Sequence, residues 1–377
     1  MLSRGESEAL TLYSMKILYF APIPYDGLKQ RPQYLAEELA KEHDVIYIEP
    51  TISWMKYLIK GGRGPRGMSY EVNPRLKVIR LNGTFSLHRS FEYFCGAFCI
   101  PERIQLKKLF READMVWIGY APWYDVVRKY KGALIYDKMD EDAELTRNPL
   151  IARLSKRLES QLIDRADLIF VTAQKFAIQM KKRGRTAVIL PNAVDAKQLK
   201  RSTSVDLKRD AEEKVFGYVG MISHWFDWDA IRTILITSQQ NRVVLVGPTE
   251  TPIPNWDRLN CTGQIPKEDV GDWIAAFDVC LYPFKQIPLI ETINPVKIYE
   301  YLAENKPVIA VDSTEIRRFG NLVYCYADKA ELSVLATKEL ANPFLNAALC
   351  KEFVAANSWE ERGRGVRAAI KTMIKGS

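Results

Sequence analysis

Short apolar runs, polar turns and stretches of helical period follow one another along nearly the whole chain. In the first half the runs are 17–21, 45–49, 77–81, 115–120, 134–137, 168–172 and 188–190. Several are continuously apolar instead of alternating, the pattern of strands buried on both faces of a parallel sheet. Between them, residues 32–42 place Leu35 with Leu39 and Ala36 with Ala40 at i, i+4 spacing, and 153–165 does the same with Leu154, Leu158 and Leu162. Both predict helices with one apolar face.

Residues 196–214 break the rhythm, since the sequence around them is rich in charged and hydroxyl side chains and poor in apolar ones. The rhythm then restarts, with strands expected at 215–219, 243–246, 279–282, 307–311 and 322–326 and helices near 229–236, 267–277, 295–303 and 346–356. The fold class expected is therefore α/β, with two doubly wound Rossmann-like domains in series. The first spans 15–195, 196–214 is a linker, the second spans 215–356, and 357–377 form a basic C-terminal helix. Ligands of such sheets bind outside the carboxyl ends of the strands. A site in a cleft between two facing domains is the expectation.

Length and composition agree with this. The chain has 377 residues, 47% hydrophobic and 27% charged, which suits two soluble domains and excludes collagen, coiled coil and wholesale disorder. The six cysteines show no CxxC spacing and read as reduced thiols; with three histidines and no His/Cys cluster, a zinc site is not expected. No stretch approaches the ~20 apolar residues of a membrane span. Residues 1–14 carry Glu6 and Glu8, unlike a signal peptide. A cytoplasmic protein is the expectation.

The chemistry is sought at strand ends. In the second domain, Asn294 and Pro295 read as a helix N-cap and first helical position. The free amides and positive dipole end of such a start suit a phosphate. Lys297 and Glu300, at i and i+3, share one face. The lysine would neutralise a diphosphate and the glutamate would accept hydrogen bonds from ribose hydroxyls. The plain alternative is a surface helix with an ion pair. His224, in a loop after the first strand, could meet a phosphate, while Trp225 and Trp228 read as scaffold. In the first domain, Gly27 follows strand one and allows close backbone approach, and Arg31 opens the next helix where it could meet a charged group. Residues 136–142 (YDKMDED) end another strand with clustered carboxylates that could raise one another's pKa. Asp140 and Glu141 are the candidate catalytic residues, against the alternative of an acid-decorated helix start.

The stretch NPVKIYEYLAENKPVIA resembles the donor-binding segment of GT-B glycosyltransferases of the retaining, family-4-like group. It is most similar to the bacterial cell-envelope polysaccharide branch, teichuronic-acid-type enzymes included. RPQYLAEELAKEHDVIYIEP, YDKMDED, ADLIFVTA, LPNAVD, GYVGMISHWFDWDAI, VVLVGP and FDVCLYPF resemble the same family in the same order, covering roughly 15–375. The resemblance implies transfer of a sugar from a nucleotide-diphosphate sugar to a glycan or lipid-linked acceptor, with retention. Two departures stand out. Thr292 occupies the position eight before Glu300 where the family often has a first glutamate. Gly220 is followed by Met221, Ile222, Ser223 and His224 where many relatives carry Arg and Lys. The resemblance then leaves the diphosphate to Lys297, the amides after Thr292, and His224. D-x-D matches at 140–142 and 227–229 are discounted, because lysine and helix dipoles can replace a divalent cation in this architecture. No metal or other cofactor is expected.

The net charge is +8. Between residues 54 and 108, eleven basic side chains face three acidic ones, so this window holds the whole excess. It also carries Trp54, Tyr57, Leu58, Ile59, Phe91, Phe94 and Phe98. Basic and aromatic groups together suit an anionic membrane surface, which predicts peripheral association with the inner face of the cell membrane. A solubilising basic face is the plainer reading. Nucleic-acid binding is the alternative of another class, lacking any RNP, KH or helix-turn-helix signature. A sugar-nucleotide epimerase or a phosphorylase could use the same scaffold.

Overall fold

The continuously apolar runs become parallel strands. The computed structural model describes residues 14–53, 67–83, 100–141, 148–195, 197, 199 and 205–376. In chain order the first sheet's elements are β1 (Lys16–Phe20), α1 (Arg31–Ala40), β2 (Asp44–Ser53), β3 (Met68–Asn73), β4 (Leu76–Gly83), α2 (Ile100–Glu112), β5 (Met115–Ile118), α3 (Tyr124–Val127), β6 (Ala133–Lys138), α4 (Pro149–Arg165), β7 (Leu168–Val171), α5 (Gln174–Lys182) and β8 (Val188–Ile189). The strand order is β3-β4-β2-β1-β5-β6-β7-β8. β1 lies in parallel register between β2 and β5, and the edge strand β3 runs antiparallel against β4.

The sequence pattern gave no sign of β3. Its residues alternate weakly and stay largely exposed, as befits an edge strand. Across the centre, Tyr47, Tyr19 and Trp117 occupy matching positions on β2, β1 and β5 and stack at 5.6 and 5.4 Å. These rings are among the largest fully buried side chains.

The second series is β9 (Lys214–Val219), α6 (Trp228–Thr237), β10 (Asn241–Val246), β11 (Leu259–Cys261), α7 (Val270–Ala276), β12 (Val279–Tyr282), α8 (Val296–Ala303), β13 (Val308–Val311), α9 (Thr314–Arg317), β14 (Tyr324–Tyr326), α10 (Lys329–Thr337), α11 (Ala347–Ala356) and α12 (Trp359–Lys375). Its six strands run β11-β10-β9-β12-β13-β14, all parallel. α6 packs on β10 and α10, α8 on β12 and β13, and α7 on β9. By contact density the chain forms two units: residues up to Asp137 with 142–167, and residues 138–141 with 168–377.

Among the described residues, Cys261, Cys280, Cys325 and Cys350 are free thiols, and burial raises the pKa of each. No helix of the described residues is long and apolar enough to cross a membrane. Much of the basic window, 54–66 and 84–99, lies outside the described residues.

Candidate functional site

From β9 the chain of the second unit builds outward through β10 and β11, then returns to β12 on the other side of β9 and builds through β13 and β14. The strand order therefore reverses between β9 and β12. At such a reversal the loops leaving neighbouring strands diverge, and a crevice opens outside their carboxyl ends. Here the loop after β9 and the loop after β12 are tied together at their bases. The amide of Asp227 donates to the Pro283 carbonyl (2.9 Å), that of Lys285 donates to the Trp225 carbonyl (2.8 Å), and Phe226 bridges Phe284 antiparallel.

Backbone alone forms part of this rim. Gly220 ends β9 with φ +157° and Gly247 ends β10 with φ +139°, a region L side chains rarely adopt. A Cβ on Gly247 would stand 2.1 Å from the Gly220 carbonyl oxygen. The two strand ends can approach this closely only because residue 247 is glycine. Gly220 is a candidate through the resemblance, whereas for Gly247, within the VVLVGP stretch, the signal in the sequence is a glycine directly after an apolar strand.

Lys297 and Glu300 are the second and fifth residues of α8, the helix that follows β12. Lys297 Nζ donates to Glu300 Oε2 at 2.8 Å, and both side chains keep partial exposure. The arrangement is the expected shared face, closed on itself as an ion pair. The N-cap expectation at Asn294 is corrected. The helix begins at Val296 with Pro295 as N-cap and no side-chain cap bond. The Asn294 side chain is drawn away by tertiary partners: its Oδ1 accepts from the Asn192 amide (2.8 Å) and its Nδ2 donates to Glu315 Oε2 (3.1 Å). Glu315, 1% exposed, also accepts from the Gln174 amide (2.7 Å) and from Arg318 (3.1 Å). The role of this buried acid was invisible in the sequence, because apart from Arg318 the partners it holds lie 141 and 21 residues away. Thr292 is buried in a 3-10 turn over Ile290–Thr292, and its hydroxyl donates to the Leu289 carbonyl at 2.6 Å.

His224 is exposed on the loop after β9, with its ring 4.8 Å from that of Trp225. Ser223 Oγ lies 3.4 Å from His224 Nδ1 and donates to Glu250 at 2.7 Å. Trp225 and Trp228 pack against the core of the second unit. In the formal D-x-D at 227–229, Asp227 caps α6 by accepting from the amides of Asp229 and Ala230 and pairs with Lys329. That carboxylate is spent on a helix start. Among the described residues, no group of three or more His, Cys, Asp or Glu side chains is placed to hold a metal ion.

In the first unit, Gly27 has φ +129° with nothing within 4 Å of an added Cβ. The backbone angle, not a close neighbour, calls for glycine there. Arg31 stands at the first position of α1 and is almost wholly buried, forking onto Asp137 with Nε–Oδ2 3.0 Å and Nη2–Oδ1 2.7 Å. In the second unit, the buried Lys138 ammonium donates to Glu141 at 2.6 Å and to the Asp140 carbonyl at 3.3 Å, and lies 4.4 Å over the Phe176 ring. The acids expected as a carboxylate cluster are thus drawn to cations: Asp137 to Arg31, Glu141 to Lys138. Asp142 lies outside the described residues.

No family model matches the chain. A Bacillus subtilis protein, whose name assigns it provisionally to teichuronic acid biosynthesis as a glycosyltransferase, is 25% identical over 177 residues, 42% of this chain and 44% of that one. The matched stretch therefore spans less than half of that relative. Among solved structures, sucrose-phosphate synthase from Thermosynechococcus elongatus superposes with a TM-score of 0.62 at 17% identity, covering 96% of this chain and 100% of that one. Anabaena HepE in complex with UDP gives 0.64 at 13% identity, covering 95% and 100%. The fold is GT-B, as the resemblance implied, and the curated match falls in the branch the motifs pointed to.

Proposed function

We propose that this protein is a glycosyltransferase. It moves a sugar from a nucleotide-diphosphate sugar to a glycan or lipid-linked acceptor of cell-surface polysaccharide, with retention at the anomeric carbon. What supports this reading is the pairing of Lys297 with Glu300 on one face of α8, the helix that follows β12 in a sheet whose order reverses between β9 and β12, in a chain whose fold neighbours include a structure holding UDP.

Lys297 and the first amides of α8 take the diphosphate, and Glu300 takes the ribose hydroxyls. When donor binds, the Lys297–Glu300 pair opens and each member meets a group of opposite character. His224 adds a contact to a phosphate, Gly220 lets the ligand approach the backbone, and Thr292 and Asn294 fix the loop that leads into the helix. As the bond from the sugar to the diphosphate breaks, negative charge grows on the leaving phosphate. A fixed ammonium and helix-end amides stabilise that charge more in the transition state than in the ground state. In this reading no divalent cation is needed. Asp140 and Glu141 stand in the catalytic region, with Glu141 held in place by Lys138. Gly27 and Arg31 belong to the acceptor side, where Arg31 acts through its fixed pairing with Asp137. The basic window 54–108 brings the enzyme to an anionic membrane that carries the acceptor.

The test is calorimetric titration with UDP, GDP, dTDP and CMP sugars, with and without EDTA, followed by acceptor-free hydrolysis of any donor that binds. One donor is expected to bind equally well in EDTA and to be hydrolysed slowly. Binding that requires Mg²⁺ or Mn²⁺ overturns the metal-independent part, and no binding at all overturns the donor reading.

A further inference from the structure

The loop after β12 carries one cation, Lys285, with no carboxylate within ion-pairing distance among the described residues. Lys285 has its backbone fixed, since its amide is bonded to the Trp225 carbonyl at 2.8 Å. Its side chain is exposed, and Nζ donates to the His224 carbonyl at 2.9 Å. Among the described residues no carboxylate lies within ion-pairing distance of that ammonium, whereas Lys297 is paired with Glu300 and Lys329 with Asp227. Lys175, from the first turn of α5, donates to the Pro288 carbonyl of the same loop at 3.1 Å, again with no carboxylate partner among the described residues. The loop's own acid, Glu291, is turned to the Thr314 amide (3.1 Å).

An ammonium has three donors. Lys285 uses one on a neutral carbonyl and keeps two, at the mouth of the crevice between the β9 and β12 ends and on the carbonyl of the residue whose exposed ring is His224. The bond from the Lys285 amide to the Trp225 carbonyl fixes where the side chain starts.

We propose that Lys285 is a second cation of the diphosphate site, supplied from the loop after β12 to the loop after β9, where no arginine or lysine occurs between Gly220 and Asp227. The inference rests on the donor reading above. A dianionic or trianionic diphosphate bridges Lys297 on one side and Lys285 with His224 on the other. Loss of one charge-assisted hydrogen bond should weaken binding about tenfold or more.

The experiment compares UDP, UMP and uridine, or the guanosine, thymidine or cytidine series if that base is preferred, on wild type, Lys285→Met and Lys285→Arg. The methionine variant should lose about tenfold or more in affinity for the diphosphate, lose less for the monophosphate and bind the nucleoside unchanged. The arginine variant should keep most of the diphosphate affinity, and the melting temperature should stay put because one exposed hydrogen bond is removed. Equal diphosphate binding by wild type and Lys285→Met overturns the inference alone. Equal losses for all three ligands also overturn it, by making Lys285 a support for the loop. Failure of wild type to bind any diphosphate overturns the donor reading and this inference with it.

Discussion

At the scale of single residues, Glu102 shows how far a side chain's setting can depart from its apparent role. In the sequence it is one of three acids in a basic window. In the fold it is 1% exposed, with Oε1 in the space a Cβ on Gly83 would take, 2.2 Å away, and Oε2 without a hydrogen-bond partner. Burial, opposed only in part by a backbone hydrogen bond and by Arg103, pushes its pKa from 4.5 up to about 7. A carboxyl whose folded pKa is raised makes the folded state bind more protons than the unfolded chain between about pH 4.5 and 7, so stability falls as pH rises through that window and levels off above it. The penalty is on the order of 3 kcal/mol when complete. Glu102→Gln, which keeps the protonated shape without the ionisation, should melt higher than wild type at pH 8 and match it near pH 4.5. Melting curves at both pH values check this, and identical pH slopes for the two proteins would show that Glu102 ionises freely.

At the scale of elements, α8 carries the donor reading. Its ion pair lies at a partly exposed surface, where such pairs contribute roughly 0–1 kcal/mol. Lys297→Ala and Glu300→Gln should therefore leave the melting temperature nearly unchanged. Each should weaken donor binding about tenfold, since a hydrogen bond to a charged group is worth roughly 1.5–3 kcal/mol. Normal donor binding by both variants would make the helix merely structural. The presence and face of α8 were readable from Ile298 and Leu302 facing inward, both 0% exposed. Its cap was not, because an asparagine beside a helix start can serve the helix or a distant partner, and Asn192 and Glu315 decide between them only in three dimensions. Helices such as α2, α5 and α10 escaped the periodicity for a related reason. α2 buries only Glu102 and Leu106, too few apolar positions to mark a face.

At the scale of the whole molecule, charge is the property the sequence displays and the fold deploys. The excess of +8 lies within 54–108. Of that window, the described α2 presents Ile100 and Ile104 to solvent, 52% and 67% exposed, with Lys107 and Lys108 also exposed. Co-sedimentation with phosphatidylglycerol vesicles should exceed that with neutral vesicles and fall with salt, since charges are screened over ~8 Å at physiological ionic strength. Changing Lys56, Lys60, Arg63 and Arg66 together to Ser should reduce it. Equal pelleting with both kinds of vesicle, or no effect of the fourfold change, would reject membrane recruitment.

The sequence by itself determined the class of fold, because strands buried on both faces must be continuously apolar, and helices that cover them must repeat every three to four residues. It also determined the identity of Lys297 and Glu300 as candidates, since their i, i+3 spacing at a helix start follows from the sequence, while Gly220 entered through the family resemblance. Only the tertiary structure decided which charges face one another: Arg31 with Asp137, Lys138 with Glu141, Glu315 with Asn294 and the Gln174 amide. It alone brought Lys285 onto the carbonyl of His224, 61 residues earlier in the chain. Hydrophobic periodicity is a property of neighbours in sequence, whereas pairing of buried charges is a property of neighbours in space, set by strand order and by the loops that cross between strand ends.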